Sequence, residues 1–153
     1  LPLAASIPIS YIPDAGLRLE MYRKLACIIN EADFQRVEEE FRDRFGPPPQ
    51  DVLNLIWQNR IKLMAEKAGL SSITMESEQL VLRYPPLLKD QKRRELISLA
   101  PYWRSGKNEY WPYFSMIGEE WKVHLEEALY RLLEHEKRKN EASLQEKKEW
   151  ILN

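Results

Sequence analysis

From Leu17 onward, apolar side chains return at Met21, Leu25, Ile28 and Ile29, with Tyr22 and Ala26 beside them. That 3.6-residue period predicts a first helix, and Asp14 is placed to cap its start. A second helix is expected over residues 31–44, where Phe34, Val37, Phe41 and Phe45 recur at i, i+3, i+7 and i+11 among otherwise charged residues. Gly46 suits its end, and Pro47-Pro48-Pro49 cannot continue it. Pro48 or Pro49 can instead open a third helix, because the first turn does not use the missing N–H. Its apolar face is Val52, Leu53, Ile56, Trp57, Ile61, Met64 and Ala68, with Gly69 closing it. Ahead of these elements, residues 1–13 hold three prolines and cannot be a helix interior. They read as an extended arm packing through Ile7, Ile9, Tyr11 and Ile12, or as an edge strand.

After Gly69 the period changes from 3.6 to 2. Ile73 and Met75, then Leu80, Leu82 and Tyr84, alternate with polar residues around Glu76-Ser77-Glu78, which predicts a β-hairpin over residues 72–84. Pro85-Pro86 ends it. A helix is expected over residues 89–99, with Leu88, Leu96, Ile97 and Ala100 inward and Pro101 stopping it. A second hairpin is expected over residues 102–114, around Ser105-Gly106-Lys107-Asn108. Beyond Gly118 and Glu119 a long last helix carries the stripe Trp121, Leu125, Ala128, Leu129, Leu132 and Leu133. Past His135 apolar residues nearly vanish until Leu144, Trp150 and Ile151, so this end reads as a solvated or frayed extension. The expected class is α+β: three helices, a β-hairpin, a helix, a second β-hairpin and a long C-terminal helix, with a small sheet packed on helices. The whole of 1–153 is expected to be one domain, made of an arm (1–13), a three-helix part (14–69), an α/β part (70–135) and a charged extension (136–153).

Composition narrows the function classes. A length of 153 residues fits one ordinary domain with its own core. The 23 basic and 24 acidic residues nearly cancel, unlike the basic excess of an autonomous nucleic-acid-binding module. One cysteine, Cys27, excludes an internal disulfide framework and a multi-cysteine zinc site. No apolar run approaches the roughly 18 residues of a membrane helix. The start does not read as a signal peptide, and the lack of an initiator Met suggests a piece of something longer.

Candidate chemistry is sparse. There is no phosphate-cradling glycine motif. His124 and His135 are 11 apart on one expected helix, roughly 16 Å, too far to share a metal. Cys27, between Ala26 and Ile28, is expected to be a packed, inert thiol. The carboxylates at Glu38-Glu39-Glu40, Glu119-Glu120 and Glu126-Glu127 lie along helix faces, where such runs usually solvate. The aromatics Tyr102, Trp103, Tyr110, Trp111, Tyr113 and Phe114 could form a stacking platform, or could pack a small sheet. The platform reading, joined to Arg93, Arg94 and Lys107, would make the chain an accessory nucleic-acid-binding domain. A free-standing enzyme is the third class, and it requires a pocket with convergent polar groups.

The second helix carries the most specific arrangement. Glu40 and Asp43 stand three apart and share a face, while Phe34, Val37, Phe41 and Phe45 hold the other side in the core. Glu38–Arg42 and Glu40–Arg44 pairs at i, i+4 can offset the helix dipole, which disfavours acids near a C-terminus. This face either merely solvates or docks on a basic surface, where charge sets specificity and approach rate.

Leu17-Arg18-Leu19 followed by Met21-Tyr22-Arg23-Lys24-Leu25-Ala26 resembles the R-L-x-x-Y-K-R-[IL]-A stretch of bacterial transcription-repair coupling factors. Asp43-Arg44-Phe45-Gly46-Pro47-Pro48-Pro49 is similar to their D-R-F-G-x-x-P. Asn54-Leu55, Lys62 and residues 65–70 match the helix that follows, and Ile7-Pro8 with Tyr11-Ile12-Pro13-Asp14 fits the preceding arm. The resemblance covers about residues 5–84. It implies the C-terminal, non-catalytic domain of a large DNA-dependent ATPase that displaces stalled RNA polymerase and recruits excision-repair proteins. ATP and Mg would be bound by other domains, so no cofactor is expected in this segment. The implied partner is the parent's N-terminal UvrB-like domain. Docking there would hide the surface that recruits UvrA and hold the parent repressed, with RNA polymerase and DNA engaged only indirectly. By position, the implied contact residues are Glu40, Asp43 and Arg44, and the implied location is the bacterial cytoplasm.

Overall fold

The computed structural model describes residues 1–87, 96–99, 102–112 and 120–152. The order is α1 (Ala15–Ala26), α2 (Glu31–Phe45), α3 (Gln50–Lys67), β1 (Ser72–Glu76), β2 (Gln79–Arg83), β3 (Trp103–Ser105), β4 (Glu109–Pro112) and α4 (Glu120–Leu152). Apart from the helix expected over 89–99, this is the α+β order that the two periods predict. The chain divides into two compact units, Leu1–Leu63 and Met64–Asn153.

In the first unit, helix starts follow from capping chemistry. The Asp14 carboxylate accepts from the Leu17 amide at 2.8 Å, and the Asn30 side chain accepts from the Asp33 amide at 3.2 Å. Each satisfies an amide that the helix cannot pair internally. The core is built from Ile7, Ile12, Met21, Leu25, Phe34, Val37, Phe41, Val52 and Ile56. Helix α2 stops at Gly46, whose φ of 86° with ψ of −176° lies in a region essentially reserved for glycine. The chain can therefore leave the helix abruptly and enter Pro47.

The leading arm is not a strand. Its polar backbone groups pair with the helices instead: Asn54 donates to the Ala4 carbonyl at 2.8 Å, the Ser6 amide donates to the Asp51 carbonyl at 3.2 Å, and the Ile7 amide donates to the Tyr22 hydroxyl at 2.8 Å. Three expected core positions turn out to be exposed. Ile9 is 68% exposed, because the Tyr11 and Ile12 amides both turn back to the Pro8 carbonyl and throw residue 9 outward. Ile29 is 75% exposed, because α1 has already ended and its periodicity no longer applies. Cys27 is exposed as well, not packed. It caps α1 two residues past Leu25, about 200° round the helix from the core-facing side.

The second unit is built on an antiparallel sheet of order β1-β2-β4-β3. β1 and β2 meet at a two-residue turn, Ser77-Glu78, with φ of 47° and 64° at the two positions. Those positive values give the twist that a tight hairpin requires. One sheet face holds the buried Leu80, Leu82, Trp103 and Tyr110; Leu82 stands opposite Tyr110 across β2 and β4. The second hairpin forms where it is expected, and Tyr113 and Phe114 of its 102–114 range lie outside the described residues.

Residues 89–95 of the expected helix at 89–99, with Leu88 and Ala100 beside it, also lie outside the described residues, and 96–99 are not helical. Side chains pair with two carbonyls of this segment. The Tyr110 hydroxyl donates to the Ile97 carbonyl at 2.9 Å, and Arg131 donates to the Leu99 carbonyl. Leu99, rather than Leu96 or Ile97, is the fully buried residue there. Helix α4 buries Trp121, Leu125, Ala128, Leu129 and Leu132, as its stripe predicts. It stays helical through Leu152, with every described side chain from Lys137 onward exposed.

Candidate docking site at the end of helix α2

The last two turns of α2 are held from both sides. On the core side, Phe41 is buried and Phe45 half-buried, with ring centroids 6.4 Å apart and Tyr11 of the arm stacked 6.3 Å from Phe41. The Tyr11 hydroxyl also reaches the carbonyls of Phe41 (3.0 Å) and Gly46 (2.7 Å). It thus serves carbonyls at a helix end, where the helix itself offers few donors. On the outer side, Glu38 receives Arg42 at 3.2 Å, the i, i+4 pair expected from spacing.

Glu40 does not stand free. Its Oε1 receives Lys24 Nζ of α1 at 2.5 Å and Arg44 Nη1 at 2.6 Å. Lys24 also reaches Glu20 at 3.2 Å, and Arg44 reaches Glu20 at 2.9 Å. The four side chains close a ring of alternating charge between α1 and α2. The Arg44 guanidinium lies 5.0 Å over the Phe45 ring, which further fixes it. Asp43 lies outside this ring. It is exposed and has no ion pair or hydrogen bond among the described residues. The three residues selected from the sequence thus divide into a locked pair, Glu40 and Arg44, and a free carboxylate, Asp43. Sequence reasoning missed Glu20 and Lys24. Their i, i+4 spacing on α1 was visible, but nothing local to it says which residues of α2 lie opposite.

The ring shifts its members' titration. Lys24 is the largest cause holding the Glu40 carboxyl below its ordinary 4.5; burial opposes it and Arg44 assists. Arg44, then Lys24, lowers Glu20. Glu40, its largest influence, raises Lys24 above its ordinary 10.5. An acid whose folded pKa is depressed contributes stability above its unfolded pKa and loses it as pH falls through the folded one. The stability gap between the wild type and a Glu20→Gln/Glu40→Gln variant is therefore expected to be full above pH 4.5 and to close on acidification. Raising the pH through the elevated Lys24 pKa should also narrow it. Thermal midpoints measured from pH 2 to 11 for both proteins check this; a gap unchanged at pH 2 would refute it.

Elsewhere, part of the candidate chemistry resolves into packing. Trp103 and Tyr110 are buried, so neither ring face is offered for stacking. Tyr102 donates to Glu127 at 3.0 Å and meets His124 Nδ1 at 3.1 Å, while His135 is exposed. Arg93 and Arg94 lie outside the described residues. Among the described residues there is no group of His, Cys, Asp and Glu able to hold a metal, and no helix is long and apolar enough to cross a membrane.

Comparison with known proteins agrees with the motif reading. The chain is 32% identical over 101 residues to the transcription-repair-coupling factor of Mycobacterium bovis, which covers 66% of this chain and 8% of that protein. It is 38% identical over 73 residues to that of Buchnera aphidicola, covering 48% of this chain and 9% of the relative. The fold is similar to a crystal structure of the C-terminal domain of a transcription-repair coupling factor, with a TM-score of 0.66 at 19% identity over 88% of this chain and 92% of the other. The chain thus spans under a tenth of the length of these curated relatives. Residues 1–94, more than half of the sequence and including all of α2, match the family described as the TRCF domain, and the chain belongs to that family.

Proposed function

We propose that this chain is a non-catalytic interaction domain of a bacterial, cytoplasmic transcription-repair coupling factor. In this reading the outer face of α2 docks on basic residues of the parent's N-terminal UvrB-like domain. Docking masks the surface that recruits UvrA and keeps the DNA translocase repressed. The observation that carries it is the free carboxylate of Asp43, presented on a helix anchored by Phe41 and Tyr11. Glu40 and Arg44 beside it are already oriented by their ring, so little side-chain freedom is left to lose on binding. Charged contacts of this kind set specificity and approach rate. Tethering within one parent chain raises the effective concentration, so a weak contact stays closed until polymerase or DNA favours the open state.

The test is a titration of this chain with the parent's separately produced N-terminal region. Reversing both charges, Glu40→Arg with Asp43→Arg, is expected to weaken binding by about ten- to a hundredfold at low salt. Equal affinity of the wild type and the reversed variant would overturn the assignment.

A further inference from the structure

We propose that Lys24 of α1 is a built-in rival of the docking partner, occupying the Glu40 carboxylate that a basic surface would otherwise engage; the inference rests on the docking reading above. Lys24 Nζ and Arg44 Nη1 both sit on the same oxygen of Glu40. The two cations are not equivalent. Arg44 is held by Glu20, by Glu40, by the Phe45 ring and by contact with the Met21 sulfur at 3.9 Å. Lys24 is held by the two carboxylates alone, at the end of a flexible stem, with 40% of its side chain exposed. A point charge on such a stem is the member that an incoming cation displaces most easily.

The charge count points the same way. Glu20 and Glu40 balance Lys24 and Arg44, so the ring is neutral, and the negative charge of the face comes from Asp43 and from Glu39 one turn before it, neither of which has an ion pair among the described residues. Without Lys24 the ring itself would carry −1 and add to that charge. A basic partner would then approach a stronger field and would share Glu40 with Arg44 alone. Lys24 thus tunes the cover to be removable. It keeps the contact weak enough to open while leaving the orientation of the acidic side chain intact.

The prediction has a sign opposite to that of a purely structural role. If Lys24 only braces α1 against α2, deleting it loosens the face and weakens binding. If it competes, Lys24→Met, which keeps the apolar stem, tightens binding to the parent's N-terminal region by about two- to fivefold at low salt, the range that an exposed ion pair can contribute. The gain should shrink as salt screens the field. It should vanish in Lys24→Met/Glu40→Gln and be absent in Lys24→Arg. Thermal melts establish that each variant is folded. Unchanged or weaker binding by folded Lys24→Met, with Asp43→Arg still weakening it, would overturn the role of Lys24 and leave the docking reading standing. Binding indifferent to Glu40→Arg/Asp43→Arg would remove the docking reading and this inference with it.

Discussion

Replacing Phe41 by alanine is expected to destabilise the first unit by about 3–5 kcal/mol, the range for deleting a fully buried aromatic ring. Phe41 is 0% exposed and touches the rings of Tyr11 and Phe45. Its loss would remove apolar contact from the core and withdraw the surface on which Tyr11 stacks. Because Tyr11 also serves the Phe41 and Gly46 carbonyls, the last turn of α2 should loosen along with the core. Urea unfolding followed by circular dichroism checks the magnitude. Asp43→Ala is the control, since an exposed, unpaired side chain is expected to change stability by less than about 0.5 kcal/mol. Similar midpoints for the two variants would mean that α2 is not anchored as described.

Tyr110→Ala is expected to have a comparable effect in the second unit, about 3–5 kcal/mol. The residue is 1% exposed on β4, an inner strand paired with both β2 and β3. Its ring lies 6.3 Å from that of Tyr84. The hydroxyl contributes separately, by donating to the Ile97 carbonyl. Tyr110→Phe should therefore cost only about 1 kcal/mol, with the part-buried Ile97 carbonyl left short of a partner. The same unfolding experiment on the two variants separates ring from hydroxyl. A Phe variant as damaged as the Ala variant would show that the hydrogen bond, not the packing, holds the sheet at this point.

The elements read correctly from the pattern are those whose cause is local. Helix α2 carries a clean stripe and a glycine stop, and the first hairpin alternates around Ser77-Glu78 except at the buried Val81, so spacing was enough. Misreadings fall where a turn, a helix end or a tertiary contact breaks the local pattern. Ile9 and Ile29 continue an apolar pattern past the point where a turn or a helix end breaks it. Residues 96–99 look helical in composition yet are not helical, and Tyr110 and Arg131 fix two of their carbonyls from elsewhere in the chain. The acidic face was legible in outline, since Glu40, Asp43 and Arg44 share one helix end. That Glu40 is neutralised from α1 and Asp43 is not follows from an interhelical register that no spacing within α2 encodes.

The exposed thiol at the end of α1 has a practical consequence. Cys27 is the chain's one cysteine and is open to solvent, so two molecules meeting in air can join through it. Preparations handled without reductant should accumulate a covalent dimer that thiols reverse. The same side chain takes a maleimide dye at a single defined position, one helical turn beyond Lys24, with no engineering of the sequence.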